Sequence, residues 1–315
     1  MGRRLWATLG VVATVAAAAA LAVRFVPTVH RPLAATAASA PYLMVGAPIA
    51  LIVFAALRHW LMAALAVALT AAAVTVQAPL YIADDAPDGV TVRVASANLR
   101  YGEADAASVV DMARTHADIL AVQELTPEAT RRITAAGLNE HFPYQALLPR
   151  EGPAGVGIWS RYPIASSSPV DGFRLGFLTA RVRIPDTGTE TTVVTTHLSA
   201  PWPEPIEGWR NDIAHLKATL QRLAAAPGAV IVAGDLNSTA DMREFRSLIS
   251  DGYRDAAEQA GAGLVPTHPA DIGIPPVWAV DHILTRDCTA ISVRTLGIND
   301  TDHRALLASV VLSRK

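Results

Sequence analysis

The sequence predicts an α+β fold: two packed, mostly antiparallel sheets flanked by helices and preceded by three transmembrane helices. Three observations support this fold. No acidic residue precedes Asp84, and the chain up to that point is almost wholly apolar. Beyond Asp84, short apolar strands are interleaved with amphipathic helices. Several of these strands are paired as hairpins, which favours two packed sheets over a single parallel sheet.

The composition differs between the two parts of the chain. Of 315 residues, 51% are hydrophobic and only 17% are charged, which is too apolar for an ordinary soluble protein. All 28 acidic residues lie from Asp84 onward, together with 21 of the 26 basic residues, so this part has a net charge of −7. Its length allows a full core in a single domain. Cys288 is the only cysteine, which excludes an intrachain disulfide and a thiolate metal cluster.

Three apolar runs form the N-terminal part, which we predict to be a membrane anchor over 1–83. The runs cover about 5–26, 42–57 and 60–82, and a helix needs about 20 residues to span a bilayer. We expect Pro48 to kink the second helix. Aromatic residues stand near the ends of the runs, where they favour the headgroup layer: Trp6, Tyr42, Trp60 and Tyr81.

Two other interpretations of these runs are weaker. The alternative for the first run is a cleaved signal peptide, since Ala38-Ser39-Ala40 resembles a cleavage site. That run is longer than a usual signal core, however, and two further apolar runs follow it. The alternative for all three is a buried helical domain, which the complete absence of acidic residues disfavours. A multi-pass anchor therefore explains the runs best.

The basic residues of the anchor indicate its orientation. Arg3 and Arg4 precede the first helix, which usually sets the topology and so places the N-terminus in the cytoplasm, although two arginines after that helix compete with them. Three crossings then place the domain 84–315 outside the cytoplasm. The polar, turn-rich stretch 83–89 marks the boundary between anchor and domain.

The elements of the domain follow from local signals. Thr126 can cap a helix whose first position is Pro127, and Gly137 ends it. Asp186-Thr187-Gly188 indicates a hairpin between two strands. We predict strands over 90–98, 119–122, 155–160, 178–184, 191–197, 230–233, 281–285, 291–296 and 305–312. We predict helices over 105–116, 126–136 and 208–225, and near 241–249.

The central strand is the stretch around which the domain is organised. Val230 to Ala233 are apolar and mostly β-branched, and Gly234 then permits a sharp turn. Asp235 and Asn237 follow, and residues two apart on an extended backbone point to the same side. A carboxylate can bind a hard cation or take a proton from water, and a carboxamide can hold a phosphate oxygen. The simpler interpretation of this segment alone is a buried strand closed by a polar turn.

Similar polar residues recur at the ends of other predicted strands. Each has a structural explanation by itself, as a turn former, a helix-start charge or a surface histidine. Together they form a series of groups that bind metals or phosphates, which structural roles explain poorly. The series is Asn98, Gln123-Glu124, His197, Asp235 with Asn237, Asp281-His282 and Asp302-His303.

These stretches give the domain its resemblance to the endonuclease/exonuclease/phosphatase superfamily, which has a deoxyribonuclease-like fold and includes membrane-anchored bacterial members. The matching motifs stand in family order: Ala97-Asn98-Leu99, Val122-Gln123-Glu124, Gly157 to Pro163, Thr196-His197-Leu198, Gly234 to Asn237, Asp281-His282-Ile283 and Asp302-His303. One departure is Thr301, where the family more often has Ser, and it keeps the hydroxyl group. The resemblance covers 84–315 and implies a four-layer sandwich.

The resemblance also implies a metal site. It assigns Asn98 and Glu124 as ligands of Mg²⁺ or Mn²⁺, with Asp302 as a third ligand through water. Oxygen donors of this kind suit a hard cation better than zinc.

The remaining roles that the resemblance implies are catalytic. Asp235 aligns and deprotonates the attacking water, and Asn237 holds this water or a phosphate oxygen. His303 donates to the phosphate and is oriented by Asp281, and His197 contacts the same phosphate from the other side. The resulting reaction is an in-line attack of water on a phosphoester, without a covalent intermediate.

Other residues receive weaker assignments. Tyr101 and His268 are expected to line the substrate cleft, and the loops 148–155, 199–208 and 265–277 to set specificity. His282 neighbours Asp281 but points to the opposite side of its strand. No function is assigned to His30, His59, His116, His141 and His215, which match no motif.

The sequence thus predicts a membrane-anchored, divalent-metal-dependent phosphodiesterase or phosphomonoesterase. Its predicted substrate is a phosphoester, and lipid-linked phosphoesters are among the candidates. One alternative is an extracytoplasmic endonuclease or exonuclease, which the net charge of −7 disfavours because a nuclease normally presents a basic face to its substrate. An alternative of another class is a non-catalytic module that binds phosphate ligands. No protein partner can be inferred.

Overall fold

A computed structural model describes residues 2–314. Met1, the first residue of the predicted anchor, and Lys315, the last residue of the predicted domain, lie outside the described residues. The N-terminal part is helical, with a 3₁₀ turn at Ala78–Tyr81. Its helices are α1 Gly2–Val23, α2 Arg31–Ala38, α3 Ala40–Met44, α4 Gly46–Leu57 and α5 Trp60–Gln77. Three helical segments are long and apolar enough to cross a membrane: Gly2–Val23, Ala40–Leu57 and Trp60–Tyr81. These segments lie close to the three predicted runs and indicate membrane association.

The second apolar segment is interrupted close to Pro48, the residue at which a kink is predicted. The helix breaks at Val45, between α3 and α4, and Pro48 lies in the first turn of α4. A proline is tolerated there because the first backbone N–H groups of a helix need no partner within it. The interruption at Val45 lies in the turn that precedes Pro48, and the kink at Pro48 stays a prediction.

The chain divides into two compact units, the first of which contains the residues up to Pro79 and the segment Thr239–Arg246. Within this unit, Arg24 forms a buried ion pair with Asp241. The amide of Gln77 also donates to Asp241 at 3.1 Å. The backbone N–H and the hydroxyl group of Thr28 each donate to Glu244 at 2.7 Å. The predicted helix near 241–249 is present only as α10, Arg243–Arg246.

The second unit, Leu80–Ser238 and the chain from Ser247 onward, contains two six-stranded sheets. The strands are β1 Gly89–Asn98, β2 Ile119–Gln123, β3 Tyr144–Leu148, β4 Val156–Ser160, β5 Ile164–Pro169, β6 Phe177–Val182, β7 Thr191–His197, β8 Val230–Asp235, β9 Arg254–Asp255, β10 Asp281–Arg286, β11 Cys288–Gly297 and β12 Arg304–Ser313. One sheet has the order β11-β12-β1-β2-β4-β3 and the other β5-β6-β7-β8-β10-β9.

Helices flank the two sheets of this unit. They are α6 Ala106–His116, α7 Pro127–Ala135, α8 Leu138–His141, α9 Ile206–Ala224 and α11 Ala256–Gln259, with a 3₁₀ turn at Gly152–Ala154. The side chains of Asp105 and Thr126 cap α6 and α7 by accepting from backbone N–H groups. The N-cap predicted at Thr126 is thus confirmed.

The two sheets pack face to face around one apolar core, which includes Val94 and Ile119 from one sheet and Val193 and Ile231 from the other. A second cluster lies on the outer face of the first sheet, where Leu120 packs with residues of α6 and α7. The apolar stripe of α9 is buried as well. The predicted fold of two packed sheets between helices is confirmed, and each sheet is mixed, with one parallel pair among antiparallel ones.

The strands that the sequence pattern failed to predict lie at sheet edges. β3, β5 and β9 each have a single neighbouring strand. Five of the six residues of β5 are exposed, so the strand lacks the alternation of apolar and polar residues that reveals a half-buried strand. The stretch 83–89, predicted as a linker, is bonded to the second unit, since the Asp84 N–H donates to the Gln259 carbonyl at 2.8 Å.

Strand register gathers the predicted polar residues at one edge of the two sheets. In the parallel pair β7–β8, His197 lies opposite Asp235, and in the antiparallel pair β8–β10, Asp235 lies opposite Asp281. In the other sheet, Asn98 lies opposite Gln123 in the parallel pair β1–β2. Because the carboxyl ends of parallel strands meet at the same edge, all these side chains lie close together.

Candidate active site

Asp235 lies at the end of β8 and is almost completely buried, with 2% of its surface exposed. The preceding Gly234 is inside the strand rather than in a turn. A Cβ atom at this position would lie 2.0 Å from the Thr196 carbonyl oxygen of the neighbouring strand. Glycine is therefore required here by the close approach of β7, and the expectation that it makes a sharp turn is wrong.

Asn237 reaches the site through a turn of its own. Its φ is +47°, and its backbone N–H donates to Asp235 Oδ1 at 2.9 Å. Its side-chain amide donates to the Leu198 carbonyl at 2.9 Å and lies 3.4 Å from His197 Nε2. Asp235 and Asn237 are thus brought together by a side-chain-closed turn, and not by the period of an extended strand.

The imidazole of His303 is held by Asp281, whose Oδ2 lies 2.7 Å from His303 Nδ1. Its other nitrogen, Nε2, lies 3.7 Å from Asp235 Oδ2. Burial favours the neutral ring, but the charges of Asp281 and Asp235 outweigh it and raise the pKa of His303 to about 10. The ring is therefore protonated at neutral pH, and both nitrogens are donors.

The pKa values of the two carboxyl groups beside His303, Asp235 and Asp281, are shifted in opposite directions. Burial, and then the charge of Asp281, raise the pKa of Asp235. Burial also acts on Asp281, but the charge and hydrogen bond of His303 outweigh it and lower the pKa of Asp281. Asp281 Oδ1 is buried without a hydrogen-bond partner among the described residues. The site thus contains excess buried negative charge.

His197 approaches Asp235 from β7. Its Nδ1 lies 3.1 Å from the Pro153 carbonyl, which can only accept, so Nδ1 carries a proton. Its Nε2 lies 3.5 Å from Asp235 Oδ2 and 3.9 Å from Glu124 Oε1. The imidazoles of His197 and His303 therefore both direct Nε2 toward the same carboxylate.

Asn98 and Glu124, two members of the predicted metal set, contact each other. The Asn98 amide group donates to Glu124 Oε1 and to Asp235 Oδ2, both at 3.1 Å. Its carbonyl oxygen accepts from the Arg100 N–H at 2.9 Å. Glu124 Oε2 accepts from the Tyr101 N–H at 2.5 Å. In this arrangement the nitrogen of Asn98, and not its oxygen, faces the carboxylates.

Asp302, the third member of the predicted metal set, lies beside His268, with its Oδ2 3.7 Å from His268 Nε2. Among residues 2–314, two groups of histidine and carboxylate atoms lie within 4.8 Å of one another: His268 with Asp302 and His303, and Asp235 with Asp281 and His303. Glu124 belongs to neither group. The structure thus places Glu124 with Asn98, and Asp302 with the histidines.

The donor chemistry fits a divalent cation at this edge. Glu124 and Asp302 supply carboxylate oxygens, which hard cations prefer. Burial and the charge of Asp281 raise the pKa of Asp235, and a bound cation offsets negative charge of this kind. Asn98 would have to turn its amide oxygen inward to serve as a ligand, because Arg100 now holds that oxygen.

Sequence reasoning missed two residues that support the site. Asp212 of α9 is buried and accepts from the N–H and the hydroxyl group of Ser199, at 2.9 and 2.6 Å, which fixes the chain just after His197. The sequence feature that could have identified Asp212 is its position, as an acidic residue, within the apolar stripe of α9. Thr267 was also missed, and its carbonyl accepts from the N–H of Arg304 at 2.9 Å.

His282 points away from the site, as the strand period predicts. Its Nδ1 lies 2.7 Å from Asp255 Oδ2, and its Nε2 lies 2.9 Å from the Ser238 carbonyl. Burial favours the neutral ring, but the charge of Asp255 and its hydrogen bond outweigh burial and raise the pKa of His282. This second histidine–aspartate pair holds the turn that follows Asn237.

Comparison with known proteins adds evidence on the family. The model of the endonuclease/exonuclease/phosphatase family matches residues 95–303. No curated protein sequence matches the chain. Among solved structures, D. rerio TDP2 in complex with a single-stranded DNA product has a TM-score of 0.58 and 19% identity, covering 70% of this chain and 98% of that one.

Two bacterial structures are similar in the same way. The endonuclease/exonuclease/phosphatase from Bacteroides vulgatus has a TM-score of 0.59 and 18% identity, covering 71% of this chain and 100% of that one. Sphingomyelinase C from Streptomyces griseocarneus has a TM-score of 0.53 and 17% identity, covering 70% and 99%. At these identities the likeness establishes the fold alone.

Proposed function

Because the chain belongs to the endonuclease/exonuclease/phosphatase family, whose members hydrolyse phosphoester bonds, we propose that it is a membrane-anchored, divalent-metal-dependent phosphoesterase. In this proposal 1–83 is the anchor and 84–315 the catalytic domain. The observation that carries the proposal is the position of Asp235: its Oδ2 lies within 3.7 Å of side-chain nitrogens of Asn98, His197 and His303.

Asp235 is the general base of the proposed reaction. Its carboxylate is buried and its raised pKa makes it a better proton acceptor than an exposed aspartate. The Asn237 N–H holds Oδ1 and leaves Oδ2 facing the histidines. A water molecule beside Oδ2 can therefore lose its proton as it attacks phosphorus in line with the leaving oxygen.

His303 and His197 stabilise the phosphate. The protonated His303 directs an N–H donor into the site while Asp281 fixes the ring through Nδ1. The Pro153 carbonyl fixes His197 in the same manner. Donors that are already in place before the reaction stabilise developing phosphate charge without reorganisation.

The metal site is assigned to Glu124 and Asp302, with Asn98 beside Glu124. When bound, Mg²⁺ or Mn²⁺ polarises the phosphoryl group and offsets charge on the leaving oxygen.

The proposed substrate is a small or lipid-linked phosphoester, and the domain is proposed to lie outside the cytoplasm. The seven residues 82–88 separate the last apolar helix from β1 and span at most about 25 Å, so the domain remains near a bilayer surface. The net charge of −7 beyond the anchor opposes binding of a polyanion. The likeness to sphingomyelinase C agrees with a lipid substrate, whereas the likeness to TDP2 with bound DNA favours the nuclease alternative.

The test compares substrates on the full-length protein in lipid nanodiscs at one Mg²⁺ concentration and moderate salt. We expect faster turnover of phospholipid or another lipid-linked phosphoester than of plasmid DNA, and turnover at least about 10²-fold lower in Asp235→Asn. Faster cleavage of DNA would make the nuclease the leading function. If no phosphoester is hydrolysed, the remaining alternative is a non-catalytic module that binds phosphate ligands.

A further inference from the structure

A second group of potential ligands lies at the edge of the proposed catalytic site. His268 Nε2 and Asp302 Oδ2 are 3.7 Å apart, and one nitrogen of His303 lies within 4.8 Å of both. The side chains of His268 and Asp302 are 30% and 29% exposed, so solvent ions can reach them, whereas His303 is buried. The group is distinct from the pair Asn98 and Glu124.

The histidines of this group are held in place. Asp281 binds Nδ1 of His303, which leaves Nε2 as the nitrogen for a ligand bond, and carboxylate-supported histidines of this kind are typical of metal sites. The His268 ring lies 4.7 Å from the His303 ring and stacks on Trp278 at 6.1 Å and 17°. The backbone N–H of Trp278 also donates to the backbone carbonyl of His268 at 2.9 Å.

The donor chemistry differs from that of the magnesium-type site. Two imidazole nitrogens and one carboxylate oxygen suit zinc, whereas Mg²⁺ prefers oxygen ligands alone. Ligand bonds of about 2.0–2.1 Å place neighbouring ligands of a tetrahedral zinc about 3.4 Å apart. The spacing of His268 and Asp302 needs only a small adjustment, which their partial exposure allows.

We propose that His268, Asp302 and His303 form a zinc site that inhibits the phosphoesterase. Zn²⁺ bound to His303 occupies the ring nitrogen that the proposed reaction directs at the phosphate, so this nitrogen can no longer contact the phosphate. Zn²⁺ also occupies Asp302, which the proposed function assigns to the catalytic metal. The inhibitory effect rests on the proposed function, whereas the binding of zinc does not.

The binding test uses the full-length, metal-free protein in detergent and measures Zn²⁺ affinity by calorimetry, without substrate or Mg²⁺. His268→Phe retains a flat ring against Trp278 but loses the ligand nitrogen, and we expect the affinity to fall by at least about 10-fold. His268→Gln is the second variant, in case Phe disturbs the fold. The matched control is His141→Phe, at an exposed position outside the group.

The inhibition test titrates Zn²⁺ against phosphoester hydrolysis at saturating Mg²⁺. The midpoint of inhibition is expected to rise in His268→Phe by the same factor as the dissociation constant, and to stay at the wild-type value in His141→Phe. Equal Zn²⁺ affinity in wild type and both His268 variants would overturn the site. Zinc binding without inhibition would overturn its regulatory effect. A protein that hydrolyses no phosphoester would refute the proposed function while the calorimetry still tests the zinc site.

Discussion

His303 Nδ1 lies 2.7 Å from Asp281 Oδ2, and this pair joins the two sheets of the second unit. His303 precedes β12 in one sheet, and Asp281 begins β10 in the other. The Asn98 amide reaches Asp235 across the same edge at 3.1 Å. The proposed active site therefore exists only when both sheets are packed together.

Substitution of the proposed base should abolish most activity. Asp235→Asn keeps the shape of the side chain but cannot accept a proton, so we expect turnover to fall by at least about 10²-fold. His303→Ala should lower turnover by a similar factor because it removes a phosphate donor. Rates are measured on full-length protein. Asp111→Asn and His141→Ala, both exposed, are the controls, and normal turnover in the Asp235 or His303 variant would contradict the assigned roles.

Removal of divalent metal should stop the reaction. We expect no turnover in excess chelator and recovery with Mg²⁺ or Mn²⁺, because Glu124 and Asp302 offer oxygen ligands. The measurement is hydrolysis of a phosphoester before and after the addition of each ion. Full activity in excess chelator would exclude a role for a metal.

Gly234→Ala should destabilise the second unit. The added Cβ would lie 2.0 Å from the Thr196 carbonyl oxygen. To relieve this clash the backbones of two hydrogen-bonded strands would have to move apart. We expect a loss of at least about 2 kcal/mol in the free energy of unfolding. Gly297→Ala in β11 is the control, because no heavy atom lies within 4 Å of its added Cβ. Equal denaturation midpoints for the two variants would show that the close approach is relieved without cost.

The His282–Asp255 pair should make stability depend on pH. The folded pKa of His282 is raised, so its contribution is fully present below the unfolded value of about 6.5 and is lost as pH rises through the folded pKa. His282→Gln should therefore lower the melting temperature strongly at about pH 6 and less at about pH 9. The pair is buried, and removal of one partner costs about 3–5 kcal/mol. A melting difference that is the same at both pH values would show that His282 is neutral when folded.

The orientation of the anchor can be tested with reporters. A reporter enzyme that is active only outside the cytoplasm should be active when fused after Lys315 and inactive when fused near Arg58. The proposed topology has a cytoplasmic N-terminus and three crossings before the proposed catalytic domain. The opposite pattern would place the active site in the cytoplasm and favour nucleotide and nucleic-acid substrates.

Local sequence patterns determined much of this protein. Apolar runs of sufficient length predicted the three long helices, because the requirement for about 20 apolar residues is local. The strand Val230–Ala233 was visible in its run of apolar, mostly β-branched residues. The helix cap at Thr126 was visible because its partner, the Ala129 N–H, lies three residues away. The ordered motifs at strand ends also indicated the family.

Only the tertiary structure decided how these residues meet. Gly234 is needed for the approach of Thr196, which is distant in sequence, and the edge strand β5 buries too little to produce a pattern. Asp302 lies beside His268, because the chain near Thr267 is bonded to the start of β12. Contacts between sheets depend on register and packing, and no local pattern encodes the distance between two strand ends.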